Sequence, residues 1–129
     1  METRDLHLMT GWIAMLLGVV VGAMIGLLFH DDNWAGGYQS WRRRMMRLGH
    51  ISLFGIGFIN LMFGLTLRAV TVPDSHAGVA SVAFVIGMIA MPLCCFLAAW
   101  RKPFRHFFPV PVVSILVGIV TLLLGWSRT

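Results

Sequence analysis

The stretch LMTGWIAMLLGVVVGAMIGLLF, residues 8–29, contains no charged side chain. A run of this length crosses the roughly 30 Å hydrocarbon core of a bilayer as a helix, because the lipid offers the backbone no hydrogen-bond partner. Three further apolar runs, at about residues 48–70, 77–100 and 108–126, are also long enough to span. The sequence therefore predicts an all-α integral membrane protein with four transmembrane helices.

The composition supports this class. Of the 129 residues, 58% are hydrophobic and 12% are charged, and the mean hydropathy is +0.84. Soluble domains are about half apolar and roughly a quarter charged. We expect one membrane domain over residues 1–129. The net charge of +5 does not indicate a nucleic-acid partner, because the cations lie between the apolar runs, where they are typical of a topology signal.

The positive charges divide unevenly between the two sides of the membrane. The loops after spans 1 and 3 hold seven cations, namely Arg42, Arg43, Arg44, Arg47, Arg101, Lys102 and Arg105. The opposite side holds Arg4, Arg68 and Arg128. Short loops rich in arginine stay in the cytoplasm. The sequence predicts an up-down-up-down bundle with both termini on the non-cytoplasmic side, in a bacterial inner membrane.

The first cytoplasmic loop, residues 30–47, carries an aromatic pattern as well. Trp34, Tyr38 and Trp41 recur at helical spacing with arginines between them, and Asp31, Asp32 or Asn33 are candidate N-caps. Aromatic and basic residues together are typical of the headgroup region of anionic lipids. We expect a short interfacial helix on the membrane surface. The alternative is a docking site for an acidic partner protein.

Each span also carries a stripe of small residues, which allows helices to pack closely in lipid. Examples are Gly11 and Gly18 in span 1 and Gly57 and Gly64 in span 2. Asn60 lies between the last two and is the strongly polar side chain deep in a span. We expect it to hydrogen-bond a neighbour such as Ser114, Thr121 or a backbone carbonyl, because an unpaired amide is costly in an apolar setting.

Four of the five histidines are candidate ligands. His50 is in phase with Gly57 and Gly64, and His7 and His76 head the inward stripes of spans 1 and 3. His106 precedes span 4, whereas His30 is out of phase. In a closed bundle, spans 1 and 3 occupy one diagonal and spans 2 and 4 the other. The pattern thus predicts two facing pairs, His7 with His76 and His50 with His106.

Facing imidazoles in a helical bundle are suitable axial ligands for haem iron. Gly57 and Gly64 would let the macrocycle approach the backbone. In architecture the arrangement resembles a small four-helix b-type cytochrome. The sequence hypothesis is a redox module that binds one or two b-type haems within a larger membrane complex. The structural alternative is that these histidines lie at the membrane interface and bind nothing.

A second functional hypothesis is a non-catalytic accessory or assembly subunit that packs against other membrane-protein subunits. The chain has no nucleophile–base–acid set, no phosphate-binding glycine loop and no carboxylate inside a span, so we expect no catalytic activity of its own. The adjacent Cys94 and Cys95 suggest soft-metal chemistry. Their side chains diverge by about 100° on a helix, which favours core packing instead.

Overall fold

A computed structural model describes residues 2–126, and the described chain is helical without strands. The four long helices are α1, Thr3–Leu28; α2, Trp41–Ala69; α3, Asp74–Trp100; and α4, Pro109–Trp126. Two short 3-10 helices, Trp34–Gly36 and Lys102–Phe107, precede α2 and α4. All four long helices are apolar and long enough to cross a membrane, which confirms the predicted spans. Arg128, assigned above to the side of the termini, lies outside the described residues.

Helix α2 begins at Trp41, earlier than the predicted start near residue 48. The Ser40 hydroxyl accepts a hydrogen bond from the backbone N–H of Arg43 at 3.2 Å, which caps the first turn. Residues 41–47 are therefore the first turns of α2. A short helix does follow Asn33, but it is a single 3-10 turn, Trp34–Gly36, without a side-chain cap. The residues from Trp41 onward belong instead to α2, which is capped at Ser40 and continues into the apolar span.

Consecutive helices pack side by side along their lengths. The Phe54 ring of α2 covers Gly18 of α1, and Leu8 of α1 lies against Gly64 of α2, so residues early in one helix meet residues late in the next. The same reversed order pairs Gly49 with Cys95 and Phe63 with Phe84 between α2 and α3, and Gly87 with Ile115 and Gly125 with His76 between α3 and α4. The small-residue faces are thus the helix contacts.

The four helices do not close into a ring. Helices α2 and α3 form the centre. In the most apolar 18-residue stretch of each, 44% of the residues are buried, against 22% in α1. In the span Lys102–Trp126, which includes α4, only 11% of the residues in the corresponding stretch are buried. Helix α1 packs mainly on α2 and touches α3, α4 packs on α3, and α1 and α4 share no packed interface within residues 2–126. The diagonal arrangement expected from the sequence is therefore absent.

Candidate functional site

A fully buried polar cluster links the first three helices. His7 of α1 is 0% exposed, and its Nδ1 lies 2.6 Å from Oδ1 of Asn60 on α2. Its Nε2 lies 2.8 Å from the hydroxyl of Ser81 on α3. The edge of the His7 ring packs against Phe63, with 4.7 Å between ring centroids. One imidazole thus joins α1 to both central helices.

The hydrogen-bond pattern assigns the His7 tautomer. Asn60 Nδ2 donates to the Ile56 carbonyl at 2.9 Å, so Asn60 Oδ1 is the acceptor. His7 Nδ1 must therefore carry the proton that it donates to Asn60, and Nε2 accepts from Ser81. The neutral ring satisfies all three groups without burying a charge. Since both nitrogens are engaged, His7 serves in this arrangement as a structural link.

Asn60 was expected to need a partner, and the structure identifies which groups supply it. The backbone carbonyl of Ile56 was among the expected types, whereas His7 takes the place proposed for Ser114 or Thr121. Those two residues lie on α4, which packs mainly on α3. Ser81 was not identified from the sequence. Its signal, a hydroxyl beside a run of small residues on α3, resembles ordinary packing.

His76 does not meet His7. A Cβ added at Gly125 of α4 would lie 2.8 Å from Cβ of His76, so His76 faces the α3–α4 contact. Its Nδ1 lies 3.3 Å from the hydroxyl of Ser75. His7 faces α2 and the opposite flank of α3. The structure therefore does not bring the first predicted histidine pair together.

His50 and His106 are also apart. The His50 ring lies in the α1–α2 contact, where a Cβ added at Gly22 would fall 2.5 Å from its Cε1, and it meets Phe54 edge-on at 5.4 Å. His106 is exposed on the second 3-10 helix. Within residues 2–126, His50 Nδ1 is the one buried side-chain nitrogen or oxygen that lacks a hydrogen bond.

The glycines that the sequence predicted to lie against a haem macrocycle contact helix α1 instead. A Cβ added at Gly57 would lie 3.1 Å from both the Gly11 carbonyl oxygen and the Ala14 Cβ. At Gly64 it would lie 2.8 Å from the Arg4 carbonyl oxygen. The backbone of α1 occupies both positions and leaves no space there for a flat ring. These glycines are sites of close helix approach.

Other metal-binding groups do not converge in the part of the chain that the structure describes. Residues 2–126 contain no group of three His, Cys, Asp or Glu side chains arranged to hold an ion. Cys94 and Cys95 are free and buried. Cys95 packs beside Gly49 of α2, whereas Cys94 borders a groove near Phe104. Their divergence agrees with the packing role expected from the sequence.

The seven loop cations lie at one end of the helices, which we call the arginine-rich end. Arg43 is 2% exposed there. Its Nε donates to the Trp34 carbonyl at 2.6 Å, Nη2 donates to the Asp31 carbonyl, and the guanidinium stacks on Phe29 at 4.6 Å. A buried cation is thus satisfied by backbone carbonyls and an aromatic face. Arg43 clamps the α1–α2 loop onto α2.

The neighbouring side chains tie α2 to the end of α3. Trp41 Nε1 donates to the Ala98 carbonyl at 2.8 Å, and Arg42 Nε donates to the Ala99 carbonyl at 3.3 Å. The last carbonyls of a helix have no partner within it, so these donors cap α3 from outside. Arg42 and Arg43, which the sequence indicated as orientation signals, therefore also hold the end of α3 and the α1–α2 loop in place.

Charge is balanced at one end and unbalanced at the other. At the end that holds the N-terminus, Glu2 pairs with Arg4, and Asp5 pairs with Arg68 at 2.8 Å. At the arginine-rich end, seven cations accompany only two carboxylates, Asp31 and Asp32. No ion pair forms among the described residues of that end. Its positive charge therefore remains available to anions outside the chain.

Comparison with known proteins gives no assignment: no protein-family model, curated protein or solved structure matches the chain.

Proposed function

We propose that the chain is a non-catalytic accessory subunit that binds a transmembrane helix of a larger membrane assembly. The main observation that supports this proposal is a groove between α3 and α4, which we call the α3–α4 groove. Its volume is about 480 Å³. Its lining residues are Gly78, Val79, Val82, Ala83, Ile86, Val113, Ser114 and Val117. The groove runs along two neighbouring spans, as the contact surface for a third helix would.

Two residues in this groove favour a protein helix over a disordered acyl chain. A Cβ added at Gly78 would meet nothing within 4 Å, so this glycine has no packing role inside the described chain. Glycine in a helix costs about 1 kcal/mol relative to alanine, and small residues let helices approach closely. The Ser114 hydroxyl has no hydrogen-bond partner within residues 2–126. A partner helix would supply both a close contact and a hydrogen bond.

The weak attachment of α4 supports the same role. Helix α4 packs mainly on α3, with Leu122 as its contact to the Phe63 cluster, and most of its large side chains are exposed. A second helix in the groove would bury one flank of α4 that this chain leaves open. His7 and the two thiols are buried, and both His7 nitrogens are hydrogen-bonded, so binding is favoured over catalysis by these groups.

The orientation that accompanies this proposal follows from the charges. The arginine-rich end faces the cytoplasm and both termini face the other side, because cytoplasmic loops retain Lys and Arg. The membrane is a bacterial inner membrane. Cysteine accessibility measures this directly. An impermeant maleimide should label Asp32→Cys only after the cells are opened, and Glu2→Cys already in intact spheroplasts.

The decisive experiment compares two glycines that are both open in this chain. Tagged protein is extracted from native membranes in a mild detergent and resolved on native gels, with mass spectrometry of the retained proteins. We expect the wild type to run with membrane partners, and Gly78→Leu and Ser114→Leu to release them. Gly26→Leu, on α1 and away from the groove, should leave the assembly intact, because a Cβ added there also meets nothing within 4 Å.

Two results would contradict the proposal. One is a wild-type chain that runs as a lone protein of 14.3 kDa plus detergent. The other is equal loss of partners in Gly26→Leu and Gly78→Leu, which would mean that no specific groove is involved. A thermal melt of each variant by circular dichroism separates loss of binding from loss of folding.

For a second candidate function, haem binding, His50 is the most favourable ligand. Its ring makes no hydrogen bond within residues 2–126, whereas both nitrogens of His7 are occupied. Because no other histidine meets His50, the second axial ligand would come from another chain. Purified complex should then show a Soret band that shifts on reduction with dithionite and is lost in His50→Ala but retained in His106→Ala. Absence of the band after expression with sufficient haem would refute this candidate.

A further inference from the structure

An amphipathic segment joins α3 to α4 at the arginine-rich end. A 3-10 helix has three residues per turn, so residues three apart share a face. In Lys102–Phe107, Lys102 and Arg105 share one face, and Phe104 and Phe107 share another. The segment therefore separates its cations from its aromatic rings within two turns.

The aromatic face is held against the helices. Phe104 packs on the buried cluster of Met45, Ala98 and Ala99, and its ring lies 6.4 Å from that of Trp100 at an interplanar angle of 13°. Phe107 lies 6.1 Å from Phe104 and remains 57% exposed. These contacts fix the orientation of the cationic face.

An apolar groove lies beside the rings. Its volume is about 240 Å³, and its lining residues are Ala90, Leu93, Cys94, Leu97, Phe104, Phe107 and Val110. Apart from the Cys94 thiol, every lining side chain is hydrocarbon. A single acyl chain is therefore an occupant of suitable polarity.

The cations beside the groove have no anion within the described chain. Arg101 stacks on Trp100 at 4.8 Å, and no carboxylate of residues 2–126 lies within ion-pair distance of Arg101, Lys102 or Arg105. Arginine binds phosphate through parallel hydrogen bonds, and basic residues near a membrane surface attract anionic lipids. A cationic face next to an apolar groove is complementary to one anionic phospholipid.

We propose that this surface binds an anionic phospholipid, with the headgroup phosphate on Lys102 and Arg105 and an acyl chain along Leu97 and Phe107. The site shares no lining residue with the α3–α4 groove, and the lipid-binding proposal does not rest on a protein partner. A phosphate ion alone would engage only the cations, whereas the lipid also fills the apolar groove.

Native mass spectrometry of the full chain tests this site. The protein is released from detergent after titration with phosphatidylglycerol or with phosphatidylcholine of the same acyl chains. We expect one phosphatidylglycerol to be retained in preference to phosphatidylcholine. Each cation near a membrane surface contributes about fivefold to binding, so Arg105→Gln should weaken retention about fivefold and Lys102→Gln/Arg105→Gln about thirtyfold.

The matched control is Arg44→Gln, which removes an exposed cation from the same end but away from the groove. It should change retention by less than twofold. Phe107→Ser should weaken the retention of phosphatidylglycerol although it leaves the charge unchanged. Excess inorganic phosphate should not displace the lipid. Equal retention of both lipids, an Arg44→Gln effect equal to that of Arg105→Gln, or full displacement by phosphate would each overturn the proposal.

Discussion

Replacing Gly11 by alanine tests whether α1 and α2 meet as closely as the structure describes. The new Cβ would lie 2.6 Å from Cγ of Leu61 and 2.8 Å from the carbonyl oxygen of Gly57. A leucine side chain can move, but the carbonyl belongs to the backbone of α2, so the helices themselves must separate. Overpacking of this kind costs about 1–3 kcal/mol. Alanine recovers about 1 kcal/mol of helix propensity, which leaves a net loss of up to about 2 kcal/mol.

Gly26→Ala is the matched control, because it makes the same change on the same helix. A Cβ at Gly26 meets nothing within 4 Å, so only the gain in helix propensity remains. Gly11→Ala should therefore unfold more readily than Gly26→Ala by about 1–3 kcal/mol. Reversible unfolding in mixed micelles of increasing SDS fraction, followed by circular dichroism, measures this difference. Equal stability of the two variants would refute the described α1–α2 contact.

Three further substitutions address the polar groups. Asn60→Leu leaves the Nδ1–H of His7 buried without an acceptor and should destabilise the fold by about 1–3 kcal/mol in the same SDS assay. Unchanged stability would argue against the His7–Asn60 hydrogen bond. Arg43→Lys keeps the charge but not both hydrogen bonds to the loop carbonyls, so the membrane orientation should persist. Limited proteolysis should cut residues 29–40 faster, and unchanged cleavage would contradict the role of Arg43 in holding this loop. His50→Phe removes an unpartnered buried nitrogen, so the thermal melt should show equal or higher stability. Lower stability would indicate that a ligand occupies His50.

The helices were predictable because their cause is general. A long run without charges must satisfy its backbone internally in lipid, and a helix does so from local bonds alone. The start of α2 was missed for a related reason. The four arginines within residues 41–47 end the hydropathy signal, but the helix depends on backbone bonds and on the cap at Ser40, neither of which hydropathy measures.

The partners of the polar residues were less predictable. Periodicity indicates which face of a helix is inward, as it did for His7 and Asn60, but it does not indicate which helix occupies that face. A closed bundle would have directed His7 across a diagonal to His76. The open arrangement of α1 and α4 instead places it against Asn60 and Ser81.

The role of Arg43 required the loop conformation. Ala35, Gly36 and Gly37 all have positive φ angles, and this turn presents the carbonyls of Asp31 and Trp34 to the guanidinium. Counting charges predicts the side of the membrane on which an arginine lies. It contains no information about these carbonyl acceptors, which exist only once the turn has formed.

The side-by-side packing of consecutive helices has a consequence for biogenesis. Each helix contacts mainly the one synthesised just before it, so every new span finds its packing surface already present in the membrane. The His7–Asn60–Ser81 link involves only α1, α2 and α3, so it can close before α4 is in place. We therefore expect helices α1 to α3 to form an early unit and α4 to dock last. The chain can assemble in the order of its translation, without waiting for its two ends to meet.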